Sequence, residues 1–225
     1  MKSFPYGSKG VTQDNPALPL LTTNARKQAM SDGIRPTDEE LLARARAGDE
    51  PALRGIIERY EGKVATTVIG MLGRGPEADD VGQETFIRFY KALAKFRGDS
   101  SLGTYLTRIA INQSLKALKR RRSWHERFLS RDDDTVLFDE PAEDGELAVE
   151  LADRHGLVHN ALQRLSPDQR AVAVLRFMEG YSTKETAAIL GIPEGTVMSR
   201  LSRATDKLGN LLRPIFSRPK INDEV

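Results

Sequence analysis

The 225-residue sequence contains no cysteine. That excludes a disulfide framework and any thiolate metal site. No apolar run approaches the roughly 20 residues that a bilayer-spanning helix needs. The N-terminus lacks a secretory core, because the apolar stretch at 17–21 is short and is broken by Pro19. These absences together lead to the expectation of a cytoplasmic protein. Strand-like alternation and internal repeats are also missing, which points away from sheets and solenoids. Histidine is scarce, with only His125, His155 and His159. His155 and His159 stand four apart, as a zinc-dependent hydrolase could use them. No Glu follows His155 directly and only one other His is available, so the pair reads instead as solvated at a helix start.

What is present is sorted. The apolar fraction of 39% permits real but modest cores. A net charge of +2 conceals two blocks. Residues 116–131 carry Lys116, Lys119, Arg120, Arg121, Arg122, Arg127 and Arg131 against Glu126 alone. Residues 132–150 carry nine carboxylates and no Lys or Arg. Blocks of one sign mark interaction surfaces or tails.

Residues 1–36 mix Pro, Gly, Asn, Ser and Lys without period and read as a disordered arm. Helical patterning begins at Thr37, where Thr-Asp-Glu-Glu is a capping box. Asp49 caps a second helix that runs to Leu72, where Gly73, Gly75 and Pro76 break it. A third helix is expected over 77–95 and a fourth over 102–122. Basic then acidic residues at 123–154 read as a linker. A second helical set at 155–212 follows, and 213–225 form a tail. The expected fold is all-α: two small helical domains joined by an acidic flexible linker, the second ending in a helix-turn-helix.

That last motif spans 182–208. Ser182 and Glu185 form a capping box, Gly191 stops the first helix, and Pro193 sits at the start of the next. Val197, Leu201, Ala204 and Leu208 line one side of the second helix. Gly195, Ser199, Ser202, Arg203 and Asp206 point away from it. Thr196 adds to the small polar residues at its start. An ordinary solvated hairpin would favour long Glu and Lys, whereas small residues let a backbone approach another surface closely. Hydroxyls and a guanidinium on such a face suit base edges and phosphates.

The fourth helix carries a second pattern. Two apolar strips, Leu102, Leu106, Ile109 and Ala110 on one side and Ile111, Leu115 and Leu118 on the other, flank a polar stripe of Tyr105, Arg108, Asn112, Lys116 and Lys119. Cations suit phosphates, Asn suits a base, and an aromatic ring can stack on an unpaired one. The adjacent loop, Phe96, Arg97, Gly98, Asp99, Ser100 and Ser101, could receive an extruded base. Asp80, Gln83 and Glu84 share a face of the third helix, either as partners of its dipole or as a protein-docking surface.

The run DDVGQETFIRFYKALAKFRGDSSLGTYLTRIAINQSLKALKRRR, the acidic linker, and LSPDQRAVAVLRFMEGYSTKETAAILGIPEGTVMSRLSRATDKL together resemble bacterial RNA polymerase sigma factors of the extracytoplasmic-function (ECF) group. The resemblance covers about 37–212. It implies a non-enzymatic subunit, without cofactor or metal, that binds core RNA polymerase and directs promoter-specific transcription initiation. Residues 37–122 would correspond to sigma region 2 and residues 155–212 to region 4. Asp80, Gln83 and Glu84 match the face that docks on the clamp helices of the largest polymerase subunit. Phe96, Arg97, Ser100 and Ser101 match the loop that captures a flipped base of the downstream element. Tyr105, Arg108, Asn112, Lys116 and Lys119 lie on the helix that supports strand separation. Thr196, Ser199, Arg200, Ser202 and Arg203 match the reader of the upstream element. Promoter DNA is the other implied partner, and an anti-sigma factor is a candidate third. Three positions depart from the family: Tyr105 where Trp is usual, Lys116 where Asp is common, and Met198 where Arg is common. The alternative is a stand-alone helix-turn-helix regulator.

Overall fold

The caps written in the sequence set the first elements. In the computed structural model, which describes residues 36–128 and 149–216, the Thr37 hydroxyl accepts from the Glu40 amide while the Glu40 carboxylate accepts from the Thr37 amide. This reciprocal pair starts α1 (Asp38–Arg46). The Asp49 carboxylate accepts from the Ala52 amide and starts α2 (Glu50–Leu72), which ends at Gly73 with a φ of 82°. Pro76 then opens α3 (Pro76–Ala92), which tightens into a 3-10 turn at Leu93–Lys95. α4 (Leu102–Phe128) runs past the expected stop at Arg122. Among the described residues every regular element is helical. The expected arm, most of the acidic linker and most of the tail lie outside the described residues.

These four helices form one set. α2 packs on α1, α3 and α4, and α3 packs on α4. Ile56, Val64, Met71, Phe89, Leu106 and Ile111 are among its fully buried members. Burying an aliphatic or aromatic side chain of this kind contributes about 1.5–3 kcal/mol. The Arg46 guanidinium donates to the carbonyls of Leu93 and Phe96, tying α1 to the start of the loop that precedes α4.

The second set begins with α5 (Val149–Gln163), which starts earlier than the sequence pattern suggested. Ser166 caps α6 (Pro167–Ala173) through the Gln169 amide. Val174–Met178 widen into a π turn, a local insertion that no Gly or Pro announces. α7 (Thr183–Leu190) opens on the Ser182–Glu185 capping box and closes on Gly191 in the left-handed region, φ 67°. Only glycine takes that conformation without strain. α8 (Glu194–Phe216) completes the set, with Val197 and Ala204 fully buried against α5–α7.

The two sets pack directly on one another. Ala171, Val174, Leu175, Tyr181 and Ile189 of the second set share a buried cluster with Val64, Leu106 and Ile111 of the first.

Candidate nucleic-acid interface

α8 presents the expected outer face. Ser199, Ser202 and Arg203 are exposed, and Thr196 is half-buried. The Ser199 hydroxyl donates to the Thr196 carbonyl, which leaves its lone pairs outward. Met198 is 63% exposed beside them, an apolar side chain on an otherwise polar surface. Arg200 sits differently. Its guanidinium pairs with the Asp168 carboxylate at 2.7 Å and is largely covered, so it braces α8 against the start of α6.

The stripe on α4 divides. Asn112, Lys116 and Lys119 are exposed and line an open groove of about 690 Å³ between α3 and α4. Tyr105 forms one end of its floor. Its ring packs on Phe96 at 4.8 Å between centroids and meets Phe89 edge-on at 6.5 Å. Opposite stand Arg88, Lys91 and Lys95, which the sequence reading did not single out. Their spacing of three and four along one helix face was the available signal. Glu84 pairs with Arg88 at 2.6 Å and offsets one of these charges. Lys91, Lys95, Lys116 and Lys119 remain as two facing pairs of ammonium groups, a lining suited to a phosphate backbone.

Arg108 lies outside this groove. It is half-buried beneath α7, where a terminal nitrogen donates to the Ala188 carbonyl at 3.0 Å. Phe96 is buried too. Its ring anchors the loop from below, while Arg97 and Ser101 are exposed and Ser100 is half-exposed. Ser101 caps α4 by accepting from the Thr104 amide.

On α3, Asp80 and Gln83 are exposed and Glu84 partly so. Ile87 (45% exposed) and Tyr90 (59% exposed) extend the same face. Large apolar side chains flanked by carboxylates suit protein docking, where an apolar centre and a polar rim are the rule. The 3–4 spacing from Gln83 through Ile87 to Tyr90 could have identified them.

Two charged groups are buried between the helical sets. Arg170 is 5% exposed and donates to the carbonyls of Met71, Gln163 and Leu165 and to the Gln163 side chain. Burial, with a smaller contribution from Arg121, pushes its pKa down to about 10, which leaves it charged at neutral pH. The Glu179 carboxylate is 4% exposed; it meets Lys63 at 2.6 Å and accepts from the Thr67 hydroxyl at 2.7 Å. Burial opposes the Lys63 charge, but the hydrogen bond and field of Glu179 outweigh it and hold the ammonium pKa above its ordinary value.

Comparison with known proteins matches this architecture in both halves. The sigma-70 region 2 profile fits residues 56–124, and the sigma-70 region 4 profile fits residues 155–208. The chain is 36% identical to the ECF RNA polymerase sigma-E factor of Escherichia coli K12 over 194 residues, covering 81% of this chain and 97% of that one. It is 33% identical to the RNA polymerase sigma-H factor of Pseudomonas aeruginosa over 184 residues, covering 80% and 95%. Among solved structures it resembles CnrH in complex with the cytosolic domain of CnrY, with a TM-score of 0.55, 28% identity and coverage of 77% and 96%. The sigma factor RpoE in complex with the anti-sigma factor NepR from Bartonella quintana gives the same TM-score at 27% identity, covering 71% and 96%. The described residues contain no helix long and apolar enough to cross a membrane. Two sigma-70 regions in order, and relatives matched over nearly their whole length, lead to one conclusion: the chain belongs to the ECF sigma factors of RNA polymerase.

Proposed function

We propose that this sigma factor divides promoter recognition among three surfaces. The exposed face of α8, with Thr196, Ser199, Ser202 and Arg203, reads the upstream element in the major groove, and Arg200 holds that helix in place. The loop of Arg97, Ser100 and Ser101, seated on Phe96 and Tyr105, receives a base of the downstream element. The groove of Lys91, Lys95, Asn112, Lys116 and Lys119 holds the separated strand beside it. Asp80, Gln83 and Glu84, with Ile87 and Tyr90, dock on the clamp helices of the largest polymerase subunit. Residues 37–122 and 155–212 act as the two functional domains.

In this reading the chain supplies binding and geometry in the cytoplasm, and the polymerase makes every bond. An anti-sigma factor is a fitting partner, since the solved relatives were captured with CnrY and NepR. The observation that carries the proposal is the cationic groove beside an aromatic floor. A duplex needs only phosphate contacts, whereas an unpaired strand also offers base faces to stack. Permanganate footprinting of the holoenzyme on a matching promoter tests it. Asn112→Ala with Lys116→Ala should leave polymerase binding intact and reduce the reactivity of unpaired thymines. Wild-type reactivity in that double variant overturns the assignment.

A further inference from the structure

One side chain on the exposed face of α8 has no structural reason to be there. Met198 is 63% exposed, although Val197 next to it is fully buried. Helix propensity does not select it, since Lys, Arg and Gln serve an exposed helical position about equally well and carry a polar tip. Packing does not select it either. Val197 and Ala204 hold the inward side of the helix in the core, and Met198 lies outside the buried clusters.

Its neighbours leave it standing proud. Residues three and four apart share a helix face, so Gly195, Met198 and Ser202 form one row along α8. Gly195 has open space where a Cβ would be, and Ser202 is small and exposed. A long thioether chain therefore rises between two short residues near the start of the helix. In a helix-turn-helix that start is the part whose side chains reach base edges in the major groove. Free cations are missing from it. Between Glu194 and Ser202 the only cation is Arg200, and Asp168 holds its guanidinium at 2.7 Å. The Ser199 hydroxyl already donates to the Thr196 carbonyl. Base discrimination at this end of α8 thus falls to hydroxyls and to one apolar group.

The major groove offers such a group a single kind of partner. Phosphate oxygens and the acceptors and amino donors of the base edges all call for polar contacts, and a thioether is only a weak acceptor. The methyl group of thymine is the one apolar feature on those edges. Methionine suits it, because its unbranched and polarizable chain adapts to irregular apolar surfaces. We propose that Met198 is a specificity-determining residue of this sigma factor, which reads a thymine of the upstream element by packing its thioether on the thymine methyl. This rests on the reading of α8 given above and assigns it one base type. Recognition of this kind releases no counterion, so it discriminates between bases without adding to the salt dependence of binding, whereas Arg203 brings a charge to the same face.

The test uses the full-length chain in holoenzyme with core polymerase, on a promoter duplex that this holoenzyme selects from a random library. Deoxyuridine replaces thymidine at each upstream-element position in turn, on either strand. That exchange removes the methyl and keeps every hydrogen-bonding group. Affinity is read by competition against a labelled copy of the unmodified duplex. Wild type should lose about fourfold at one position or two adjacent ones, the value of one buried methyl-sized group, and little elsewhere. Met198→Ala removes a side chain that is mostly in solvent and keeps helix propensity, so it should fold as wild type does and lose nothing further from deoxyuridine at that position. Met198→Leu, still apolar, should retain the loss, and so should Arg203→Ala, which meets a different base. A scan that is flat in wild type, or that shows the same loss in Met198→Ala, overturns the role given to Met198. In that event Arg203→Ala separates the two readings. If it still relaxes base choice across a promoter library, α8 reads the element without Met198; if it leaves the profile unchanged, the assignment of α8 to the upstream element falls as well.

Discussion

Arg203 is exposed on α8 one turn beyond Ser199, with no acid paired to it among the described residues. A guanidinium there can make a bidentate contact to a guanine edge. Arg203→Ala should weaken upstream-element binding by about 1–3 kcal/mol and relax choice at one or two base pairs. Binding across a library of promoter variants checks this, and an unchanged profile contradicts it. Arg200 differs although it lies only three residues away. Its pair with Asp168 makes it a brace, so Arg200→Ala should lower thermal stability as well as binding, whereas Arg203→Ala should lower binding alone. Residue types and spacing revealed the polar face of α8 but could not separate these two roles, because the Asp168 contact is tertiary. Phe96 gives the same lesson. A phenylalanine opening a polar loop reads as part of the loop that receives a base, and its burial against Tyr105 emerges only when α1 and α4 close around it.

Capped helix starts were the most legible elements, since local chemistry decides them. Thr37–Glu40, Asp49–Ala52 and Ser182–Glu185 all form the expected cap bonds, and Ser166 adds another to the Gln169 amide. The Ser182 hydroxyl and amide hold the Glu185 carboxyl below the usual carboxylate range. The sign follows directly: a depressed folded pKa gives stability that is present above the ordinary carboxylate value and is lost as pH falls through the lower one. Glu185→Gln should therefore be less stable than wild type at neutral pH, and the two should converge in acid, as thermal melts across pH can show. The π turn at Val174–Met178 was not legible, because no breaker residue marks it; Leu175 within it and Tyr181 just after it lie in the buried cluster between the sets. The α3–α4 groove was half legible. Lys116 and Lys119 stood out in a basic block, while Lys91 and Lys95 matter only because α3 faces α4. Lys116→Ala with Lys119→Ala should make single-strand binding less salt-dependent, reducing the slope of log K against log salt by about 1.4. An unchanged slope contradicts phosphate contact at this groove.

At the scale of the whole molecule, charge is arranged along the chain as much as across its surface. Nine carboxylates at 132–150 follow directly on the basic end of α4. We propose that this acidic segment, between the two helical sets, occupies a cation-lined channel of the polymerase that later holds RNA. Replacing the nine acids with Ser and Gln at constant length should weaken holoenzyme assembly, most at low salt, and alter the ratio of abortive to full-length transcripts. Wild-type assembly at every salt concentration and an unaltered ratio contradict that role. The order of the two helical sets was readable from sequence; their direct packing was not, since Lys63 meets Glu179 and the Met71 carbonyl meets Arg170 only once the chain has folded. All of these features serve one claim, that this chain gives core polymerase its choice of promoter. The most direct test is transcription of a random DNA library by core polymerase with and without the purified protein, followed by sequencing of the transcript starts. Starts that cluster downstream of two shared sequence elements at fixed spacing, only when the protein is present, are the predicted result. Starts as scattered as those of core polymerase alone would contradict it.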